Sequence, residues 1–265
     1  MKQISVFSNR NQYSQKIKNT LADKLHQRGY SVLFSFHPNS ELNICIGGDG
    51  SFIKAVHFSK FSQIPFIGIN TGHLGFFQEI NSDSLDSFLD AYQNRDYCIE
   101  DIPLIEATII TQRNTYTLYA LNEFLLKGMW SHMIQFDVYI DGVFIENFGG
   151  DGMVLSSPAG STGHNASIGG AILYPSLEIL QLTPLAPIHS NTYHSLRNPL
   201  IIPQNSKVRL MPEPRYANHS ILVVDGAEKK QKDLKYIDFF ISNKKIHRLV
   251  FQKDWYWKNL RDKFL

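Results

Sequence analysis

Cysteine, net charge and long apolar segments are all scarce in this sequence. Only two cysteines, Cys45 and Cys98, occur in 265 residues, so no disulfide framework is expected and a reducing compartment, the cytoplasm, fits best. A net charge of +2, with no basic stripe interleaved with aromatic residues, argues against a nucleic-acid partner. There is no signal-peptide pattern and no apolar run of membrane length, so no membrane partner is expected.

Several common catalytic fingerprints are also missing. The chain contains neither the G-x-x-x-x-G-K-[ST] phosphate loop nor the G-x-G-x-x-G dinucleotide motif, and its serines do not fit G-x-S-x-G. It has no H-E-x-x-H and no paired C-x-x-C, and its 10 histidines are dispersed, so no resident metal site is predicted. Among the histidines, His73 and His164 have the neighbours that most favour a functional role.

Strand-like and helix-like patterns alternate through residues 1–99. Apolar residues are 43% of the chain, enough for a substantial core, and Ile17, Leu21 and Leu25 recur at the four-residue spacing of an amphipathic helix. The alternation predicts a parallel sheet with helices on its faces. The predicted strands are residues 3–8, 31–34, 42–46 and 64–69, and the predicted helices are residues 14–28, 51–60 and 81–92.

Three glycines surround one carboxylate directly after the third predicted strand, in Gly47-Gly48-Asp49-Gly50. Glycines at a strand-to-helix turn let backbone N–H groups approach a ligand, beside a helix N-terminus that favours anions. Asp49 would repel a phosphate there unless a cation lay between them. Its carboxylate is therefore predicted to hold a metal or to accept the proton of a hydroxyl that is being phosphorylated. A tight turn with a polar tip is the alternative, and Ser51 is expected to be the N-cap or a first-turn residue of the next helix.

A second glycine-bearing turn, residues 70–77, follows the next predicted strand. Ligands of parallel sheets bind outside the carboxyl ends of the strands, where both turns are expected to lie. Two such turns at one edge favour a nucleotide crevice. Phe76 and Phe77 either fill the core or supply one ring that stacks on a base.

From Cys98 onward the pattern changes to short strand-like segments separated by turn residues. Asp141-Gly142 and Asp225-Gly226 are strong turn signals. This half is predicted to be a mostly antiparallel, sandwich-like β domain with one helical interruption near residues 175–181, followed by a helix at residues 254–264. The expected domains are residues 1–99, residues 100–250 and a C-terminal segment, residues 251–265.

A second cluster of small and polar residues lies inside the β-rich half. Gly149-Gly150-Asp151-Gly152 repeats the glycine–aspartate theme, and residues 156–167 are dense in Ser, Thr and Gly. Backbone donors and hydroxyls at this density suit a phosphate- or ribose-rich ligand, with a flexible loop as the alternative. Asn122 and Glu123 could contact a base edge or ribose hydroxyls, or form an ordinary turn.

Taken in order along the chain, these motifs resemble the NAD kinase family in its compact bacterial form. GGDG alone is shared with lipid kinases and phosphofructokinases, whereas the ordered set covers most of the chain. The resemblance implies a Rossmann-like N-terminal domain, a β-rich NAD-binding domain, and a last segment that returns to the N-terminal domain. The matching segments are residues 47–50, 70–76, 122–123, 150–152 and 157–162, with further similar residues at 169–171, 175, 181–183 and 186.

The implied reaction transfers the γ-phosphoryl group of ATP, carried with Mg²⁺, to the 2′-hydroxyl of the adenosine ribose of NAD. Asp49 would accept the hydroxyl proton, Gly47, Gly48 and Gly50 would leave room for phosphates, and Asp151 would reach a neighbour's site in a homotetramer. ATP, other triphosphates and polyphosphate remain open as donors. The residues that the resemblance places at the NAD site are Phe76, Asn122, Glu123, Thr162, Gly163, His164, Ser167 and Ala186.

Two positions depart from the family pattern, and two other functions compete with this one. Gly163-His164 stands where the family has a small residue and a tyrosine, and Gly149 stands where close relatives often carry arginine. Both bear on ligand affinity or preference rather than on the reaction class. The competing functions are a GGDG-type lipid kinase, disfavoured by the lack of an amphipathic docking stretch, and a non-catalytic NAD(P) sensor, which would gain nothing from Asp49.

Overall fold

The computed structural model describes residues 1–72, 75–188 and 195–265, with Ser131 described for its backbone alone. These residues form two compact units, Met1–Asp101 with Lys245–Leu265, and Ile102–Lys244. The first unit therefore includes the C-terminal segment, residues 251–265. His73 of the second glycine-bearing turn lies outside the described residues.

The helices and strands follow one another in a βα pattern and then in a long series of strands. Residues 1–97 form β1 (Lys2–Ser8), α1 (Gln12–Gln27), β2 (Tyr30–Leu33), β3 (Leu42–Ile46), α2 (Asp49–Phe58), β4 (Phe66–Asn70), β5 (Gln78–Asn81) and α3 (Leu85–Asn94). The following residues form β6 (Cys98–Thr111), β7 (Thr115–Ala120), β8 (Glu123–Gly128), β9 (Ile134–Ile140), β10 (Val143–Gly150), β11 (Gly152–Ser156), α4 (His164–Ser167) and β12 (Ile179–Leu185). The last elements are β13 (Leu200–Pro203), β14 (Val208–Pro212), β15 (Ser220–Val224), β16 (Ala227–Lys230), β17 (Leu234–Val250) and α5 (Trp255–Phe264).

A parallel sheet with the strand order β2-β1-β3-β4 forms the centre of the first unit. β5 extends it in parallel beside β4. All five residues of β3 are buried, as expected for a strand that is covered on both faces. The chain leaves β1 toward β2 on one side and returns to β3 on the other, which makes the carboxyl ends of β1 and β3 a topological switch point. The parallel α/β prediction for this half is confirmed.

Helix α1 buries the predicted stripe of Ile17, Leu21 and Leu25. Asn11 caps it by accepting a hydrogen bond from the Ser14 amide at 2.7 Å, and Gly29, with φ +84°, follows its end in the left-handed conformation. Helix α2 begins two residues earlier than predicted, at Asp49, so Ser51 lies in its first turn and is not the N-cap. Gly48 is the N-cap residue and supplies no side-chain hydrogen bond.

Two antiparallel sheets form the second unit. One has the order β13-β12-β11-β8-β15-β16, and the other contains β10, β9, β14 and β17 together with β6 and β7. Apolar side chains from both sheets make one core, in which the rings of Phe124 and Phe239 meet edge to face at 5.4 Å. The sandwich-like prediction is confirmed, and both Asp-Gly turns adopt positive φ at Asp141 and Asp225, as type I′ hairpins require.

The helical interruption predicted near residues 175–181 is wrong in position, whereas the helix predicted at residues 254–264 forms as α5. Residues 175–178 form no helix and β12 begins at Ile179, pairing with β11 and β13. Helical turns occur instead at Ala159–Thr162 and His164–Ser167, inside the Ser/Thr/Gly-rich segment. Small residues allow that segment to pack tightly, with Ala159, Gly160 and Ser161 buried, so it is ordered structure and the flexible-loop alternative fails.

None of the helices in the described ranges is both long and apolar enough to cross a membrane.

The strand pair β4–β5 leaves no room for a side chain at Gly68. A Cβ atom there would overlap the Phe77 carbonyl oxygen and the Gln78 Cα, which are backbone atoms and cannot turn aside. We expect Gly68→Ala to lower the free energy of unfolding by about 1–3 kcal/mol, as overpacking does. Gly72→Ala is the control because none of the described residues has an atom within 4 Å of its added Cβ. Urea unfolding measures both, and equal stability of the two variants would contradict this account of the strand pair.

Candidate active site

Asp49 opens helix α2 immediately after the buried strand β3. Gly47, in the turn between β3 and α2, has a φ of +145°, which residues other than glycine rarely adopt. A Cβ on Gly47 would also overlap the Ser51 side chain. No atom of the described ranges lies within 4 Å of a Cβ built on Gly48 or Gly50. The glycines therefore allow a tight turn that leaves the backbone of the first helical turn accessible, as the sequence predicted.

The Asp49 carboxylate is held from across the turn by two backbone amides. Phe76 N–H donates to Oδ2 and Phe77 N–H donates to Oδ1, each at 3.0 Å. The Lys263 ammonium of α5 lies 3.8 Å from Oδ2, and the Asp49 side chain remains 29% exposed. Each oxygen thus has one fixed donor and keeps lone-pair capacity for a further partner.

The turn that supplies these amides is itself fixed by three interactions within the first unit. A Cβ on Gly75 would overlap the Asp49 carboxylate and the Gln78 side chain, so this position must be glycine. Arg248 donates to the Phe76 carbonyl at 2.9 Å and pairs with Glu100, and the buried Asn259 amide donates to the Gly75 carbonyl. These contacts fix the position of both amides that hold Asp49.

Phe76 fills the core of the first unit and is 5% exposed. Its ring lies 6.0 Å from the rings of Tyr256 and Phe264, and the Lys263 ammonium lies 4.6 Å from its centroid. Phe77 stacks on Phe52 at 4.7 Å. Both rings are core residues in this conformation, with α5 covering the Phe76 face that a base could use.

Asn122 and Glu123 lie at the start of β8 and are held by a carboxylate that sequence analysis treated only as part of a turn. Asp225 accepts the amide hydrogens of Leu121, Asn122 and Glu123 at 2.8, 2.8 and 3.1 Å. Burial, reinforced by the nearby Asp225 charge, raises the pKa of Glu123 to about 7. Asn122 Oδ1 and Glu123 Oε2 are buried without a hydrogen-bond partner in the described chain, which marks them as acceptors for a polar ligand.

The Ser/Thr/Gly-rich segment packs directly against this pair. A Cβ on Gly160 would overlap the Asn122 backbone. A Cβ on Gly163 would lie 3.8 Å from Glu123 Oε2 and 4.0 Å from Asn122 Nδ2. The segment is held by the buried Asn165, whose Oδ1 accepts from the Thr183 hydroxyl at 2.7 Å. The chain thus brings Asn122, Glu123 and Gly163 together, with Thr162, His164 and Ser167 in the two adjoining helical turns.

Asp151 and Ala186 lie at the opposite end of the sheet from that cluster. In the pairing of β11 with β8, Ser156 faces Glu123 whereas Gly152 faces Lys127, so the two ends are separated by the length of β11, about 13 Å. Asp151 N–H donates to the Leu185 carbonyl at 3.0 Å, and the Ala186 carbonyl lies against Gly150. The predicted dinucleotide residues of the second unit therefore form two separate groups within one copy of the chain. Asp151 and Ala186 make up one group, and the cluster around Asn122 and Glu123 makes up the other.

Sequence analysis missed the residues that position the reactive side chains. Asp225 was recognised only as a turn residue, and the pattern around it carries no sign that its carboxylate binds backbone amides. Arg248, Asn259 and Lys263 are more than 170 positions from the turn that they contact. For Asn259 and Lys263, the family resemblance implied that the last segment returns to the N-terminal domain, but it did not indicate these contacts. No group of three or more His, Cys, Asp or Glu side chains able to hold a metal occurs in the part of the chain that the structure describes.

Two family descriptions match the chain in succession. Residues 5–97 match the "ATP-NAD kinase N-terminal domain" and residues 121–249 match the "ATP-NAD kinase C-terminal domain". Among curated proteins, the NAD kinase of Finegoldia magna is 46% identical over 99% of this chain and 97% of its own length. The NAD kinase of Streptococcus pneumoniae is 32% identical, covering 100% of this chain and 96% of the relative.

Two solved structures share the fold. Yeast NADH kinase complexed with NADH has a TM-score of 0.86 at 19% identity, covering 99% of this chain and 87% of that one. An NAD kinase from Archaeoglobus fulgidus in complex with ATP has a TM-score of 0.76 at 21% identity, covering 99% of this chain and 97% of that one. At 19% and 21% identity, the similarity to these two structures shows the fold alone.

The raised pKa of Glu123 predicts a pH-dependent stability. The folded chain holds this proton more tightly than the unfolded chain, so the contribution of Glu123 to stability falls as the pH rises from 4.5 to about 7. We expect Glu123→Gln to gain stability over wild type at pH 8, by at most about 3 kcal/mol, and to gain less at pH 5. Chemical unfolding at both pH values measures the difference, and a gain that is equal at both would refute the assignment.

Proposed function

The chain belongs to the ATP-NAD kinase family, and on this premise we propose that it phosphorylates NAD to NADP at the expense of ATP. A bond forms between the γ-phosphorus and the 2′-oxygen of the adenosine ribose as the bond to the β–γ bridging oxygen breaks, releasing ADP. The hydroxyl proton passes to Asp49. Phosphoryl transfer is catalysed mostly by positioning and charge stabilisation, so a fixed carboxylate at the acceptor hydroxyl is the main requirement for this step.

The observation that carries this proposal is the setting of Asp49. Two amides from residues 76 and 77 fix the carboxylate, yet its side chain keeps 29% of its exposure. A carboxylate in the first turn of a helix is stabilised by the helix dipole whatever its role, but that stabilisation does not require the side chain to stay accessible at an open, glycine-lined turn. As a proton acceptor, it needs to be fixed and accessible at once.

Asn122 and Glu123 are proposed to hold the adenosine of NAD. Their buried, unpartnered oxygens are acceptors suited to the amino group of adenine and to ribose hydroxyls. Gly163 lies against both side chains without filling the space beside them. Thr162, His164 and Ser167 are proposed to line the same site, and the smaller histidine ring would contact less of the ligand than a tyrosine at that position.

The charge of the triphosphate is proposed to be offset by Mg²⁺ and by this chain's own cations. The ion is proposed to enter with ATP as part of the substrate, bound by its phosphate oxygens. Lys263, 3.8 Å from Asp49, supplies a cation where phosphate would otherwise meet the carboxylate. Phe76 is proposed to support Lys263 and Asp49, through its ring and its backbone amide respectively, rather than to stack on the ligand.

A homotetramer is the proposed assembly. Asp151 is exposed at the end of the sheet remote from Asn122, which supports the proposal that it acts on a neighbouring copy rather than at its own Asn122–Glu123 pair. Trp130, 68% exposed, lines a cavity of about 470 Å³ beside Asp151, and exposed tryptophan is typical of interface anchors. Light scattering tests the assembly. The cytoplasm is the proposed compartment, supported by two free thiols, Cys45 and Cys98.

A direct assay tests the reaction. Purified protein is incubated with Mg²⁺, ATP and NAD, and NADP is measured with an NADP-specific dehydrogenase. We expect NADP to accumulate in proportion to enzyme. Diacylglycerol replaces NAD in a parallel reaction, and phosphorylation of the lipid without NADP formation would favour the lipid-kinase alternative. Polyphosphate replaces ATP in a third reaction to identify the donor.

Asp49→Asn separates catalysis from binding. We expect NADP formation to fall by roughly 10²–10⁴-fold, the usual contribution of a general base, with NAD binding by calorimetry largely intact. Asparagine has one acceptor oxygen for two amides, so a modest loss of thermal stability should accompany the change. Asp23→Asn, an exposed position on α1, is the control. A mutant that turned over like wild type would show that the base is another group.

A further inference from the structure

Gln78, the first residue of β5, has a buried amide that bonds to none of the residues that the structure describes. The side chain is 2% exposed, and both Oε1 and Nε2 lack a hydrogen-bond partner within the described ranges. A buried amide without partners lowers the stability of the folded chain. Such a group calls for an explanation other than stability, and its position in the first unit supplies one.

Two glycines make the space that the Gln78 side chain occupies. Gly68 is paired with Gln78 in the register of β4 and β5, and a Cβ on Gly68 would lie 3.0 Å from Gln78 Cγ. A Cβ on Gly75 would overlap Gln78 Oε1. The side chain therefore extends from β5 past Gly68, and its amide oxygen ends beside Gly75.

The amide oxygen of Gln78 lies next to Oδ1 of Asp49. The same Cβ on Gly75 would overlap both of these oxygens, so both border the space of a single atom. An ionised carboxylate only accepts hydrogen bonds, as an amide oxygen does. The Phe77 amide donates to Oδ1 at 3.0 Å, but Gln78 Oε1 is left without a donor. A proton on Asp49 Oδ1 would supply that donor.

The two oxygens of Asp49 differ in how well they would hold a proton. Oδ2 lies 3.8 Å from the Lys263 ammonium, and a nearby cation disfavours the protonated form of an oxygen. Oδ1 faces Gln78 Oε1, which can accept a hydrogen bond from the O–H of a carboxyl group. When Asp49 takes up a proton, Oδ1 is therefore the more favourable position for it.

We propose that Gln78 is a positioning residue for proton transfer, because it accepts a hydrogen bond from Asp49 Oδ1 once that oxygen carries the proton. The inference rests on the proposed function and adds a residue to it. As the ribose 2′-oxygen bonds to the γ-phosphorus, its O–H bond breaks, the bonding electron pair stays on the 2′-oxygen and the proton moves to Oδ1. The new O–H of Asp49 then donates to Gln78 Oε1. Since this bond exists only after the proton has moved, it assists the chemical step rather than substrate binding.

Gln78→Met tests this role, because methionine has a similar size and no strong hydrogen-bonding atom. Gln78→Leu repeats each measurement, so that the packing of one replacement does not decide the result. The matched control is Gln231→Met in the second unit. Gln231 is also 2% exposed, but its Oε1 accepts from the Tyr116 hydroxyl at 2.8 Å and its Nε2 donates to the Lys229 carbonyl at 2.9 Å.

We expect kcat of Gln78→Met to fall about tenfold while KM for ATP and for NAD stays within twofold, because the lost contact forms only during the chemical step. Its Tm should rise by about 2–4 °C, since a buried amide without partners has been removed. Gln231→Met should do the opposite. Its Tm should fall because it leaves buried partners unpaired, and its kcat should match wild type. Steady-state kinetics and thermal unfolding measure both.

The same substitution in an Asp49→Asn background separates positioning from packing. Without a carboxyl group to carry the proton, Gln78→Met should change the residual kcat by less than twofold. The asparagine amide can donate to Gln78 Oε1, so the gain in Tm should disappear as well. A glutamine that only packs would give the same changes in both backgrounds, because effects of residues that do not interact are additive.

Three kinetic results would overturn the inference: an unchanged kcat in Gln78→Met and Gln78→Leu, a raised KM in place of a lowered kcat, or an equal loss of kcat in both backgrounds. A lower Tm in both Gln78 variants would do so too. If the wild-type protein forms no NADP, the proposed reaction fails instead, and Tm alone decides the contact. A gain in Tm that disappears in the Asp49→Asn background supports it, and an equal gain in both backgrounds refutes it.

Discussion

The carboxylate of Asp49, bound by the amides of Phe76 and Phe77, is the interaction on which the first unit's chemistry depends. A side chain at a helix N-terminus could rotate into solvent, but two charge-assisted hydrogen bonds fix both of its oxygens. Holding those amides in place requires glycine at position 75, where a Cβ would overlap the carboxylate itself. The sheet contributes as well, because Gly68 lets β5 approach β4 closely enough to place Phe77.

The second unit also contains a carboxylate that accepts hydrogen bonds from backbone amides, but this one positions other side chains. Asp225, in the β15–β16 turn, binds three consecutive amides and so fixes the backbone of Leu121, Asn122 and Glu123. Their side chains are then free to meet a ligand. The consequence is a carboxyl group buried next to a carboxylate, which raises the pKa of Glu123 to about 7 and leaves oxygens without partners. A site whose acceptors are unsatisfied without ligand binds a polar ligand with less competition from internal contacts.

Local placement of cations, rather than net charge, suits the first unit to phosphates. The overall charge of +2 gave no indication of an anionic ligand. Lys263 of α5 lies beside Asp49. Arg10 of the β1–α1 turn, Lys18 of α1 and Lys54 of α2 line one cavity at the end of β1. Coulombic attraction depends on distance and on the local dielectric, so side chains scattered in sequence act together only once the sheet has gathered their elements.

Much of the architecture followed from the sequence because its signals are local. The period of Ile17, Leu21 and Leu25, the apolar run of β3 and the two Asp-Gly turns each depend on residues a few positions apart, and all formed as predicted. The glycine–aspartate turn was identified for the same reason. The helix expected near residues 175–181 failed because strand pairing with β11 and β13 outweighed a weak local pattern.

By itself, the sequence determined the two kinds of fold, the position of Asp49 at a strand-to-helix turn, and the family. Only the tertiary structure decided which groups hold that carboxylate, that Phe76 is covered by α5, and that Asp151 lies at the far end of the sheet from Asn122. Backbone preferences are set by neighbouring residues, whereas hydrogen bonds and burial are set by whatever the folded chain brings within a few ångströms. The contacts of Arg248, Asn259 and Lys263 with a turn more than 170 positions away are therefore beyond any local pattern.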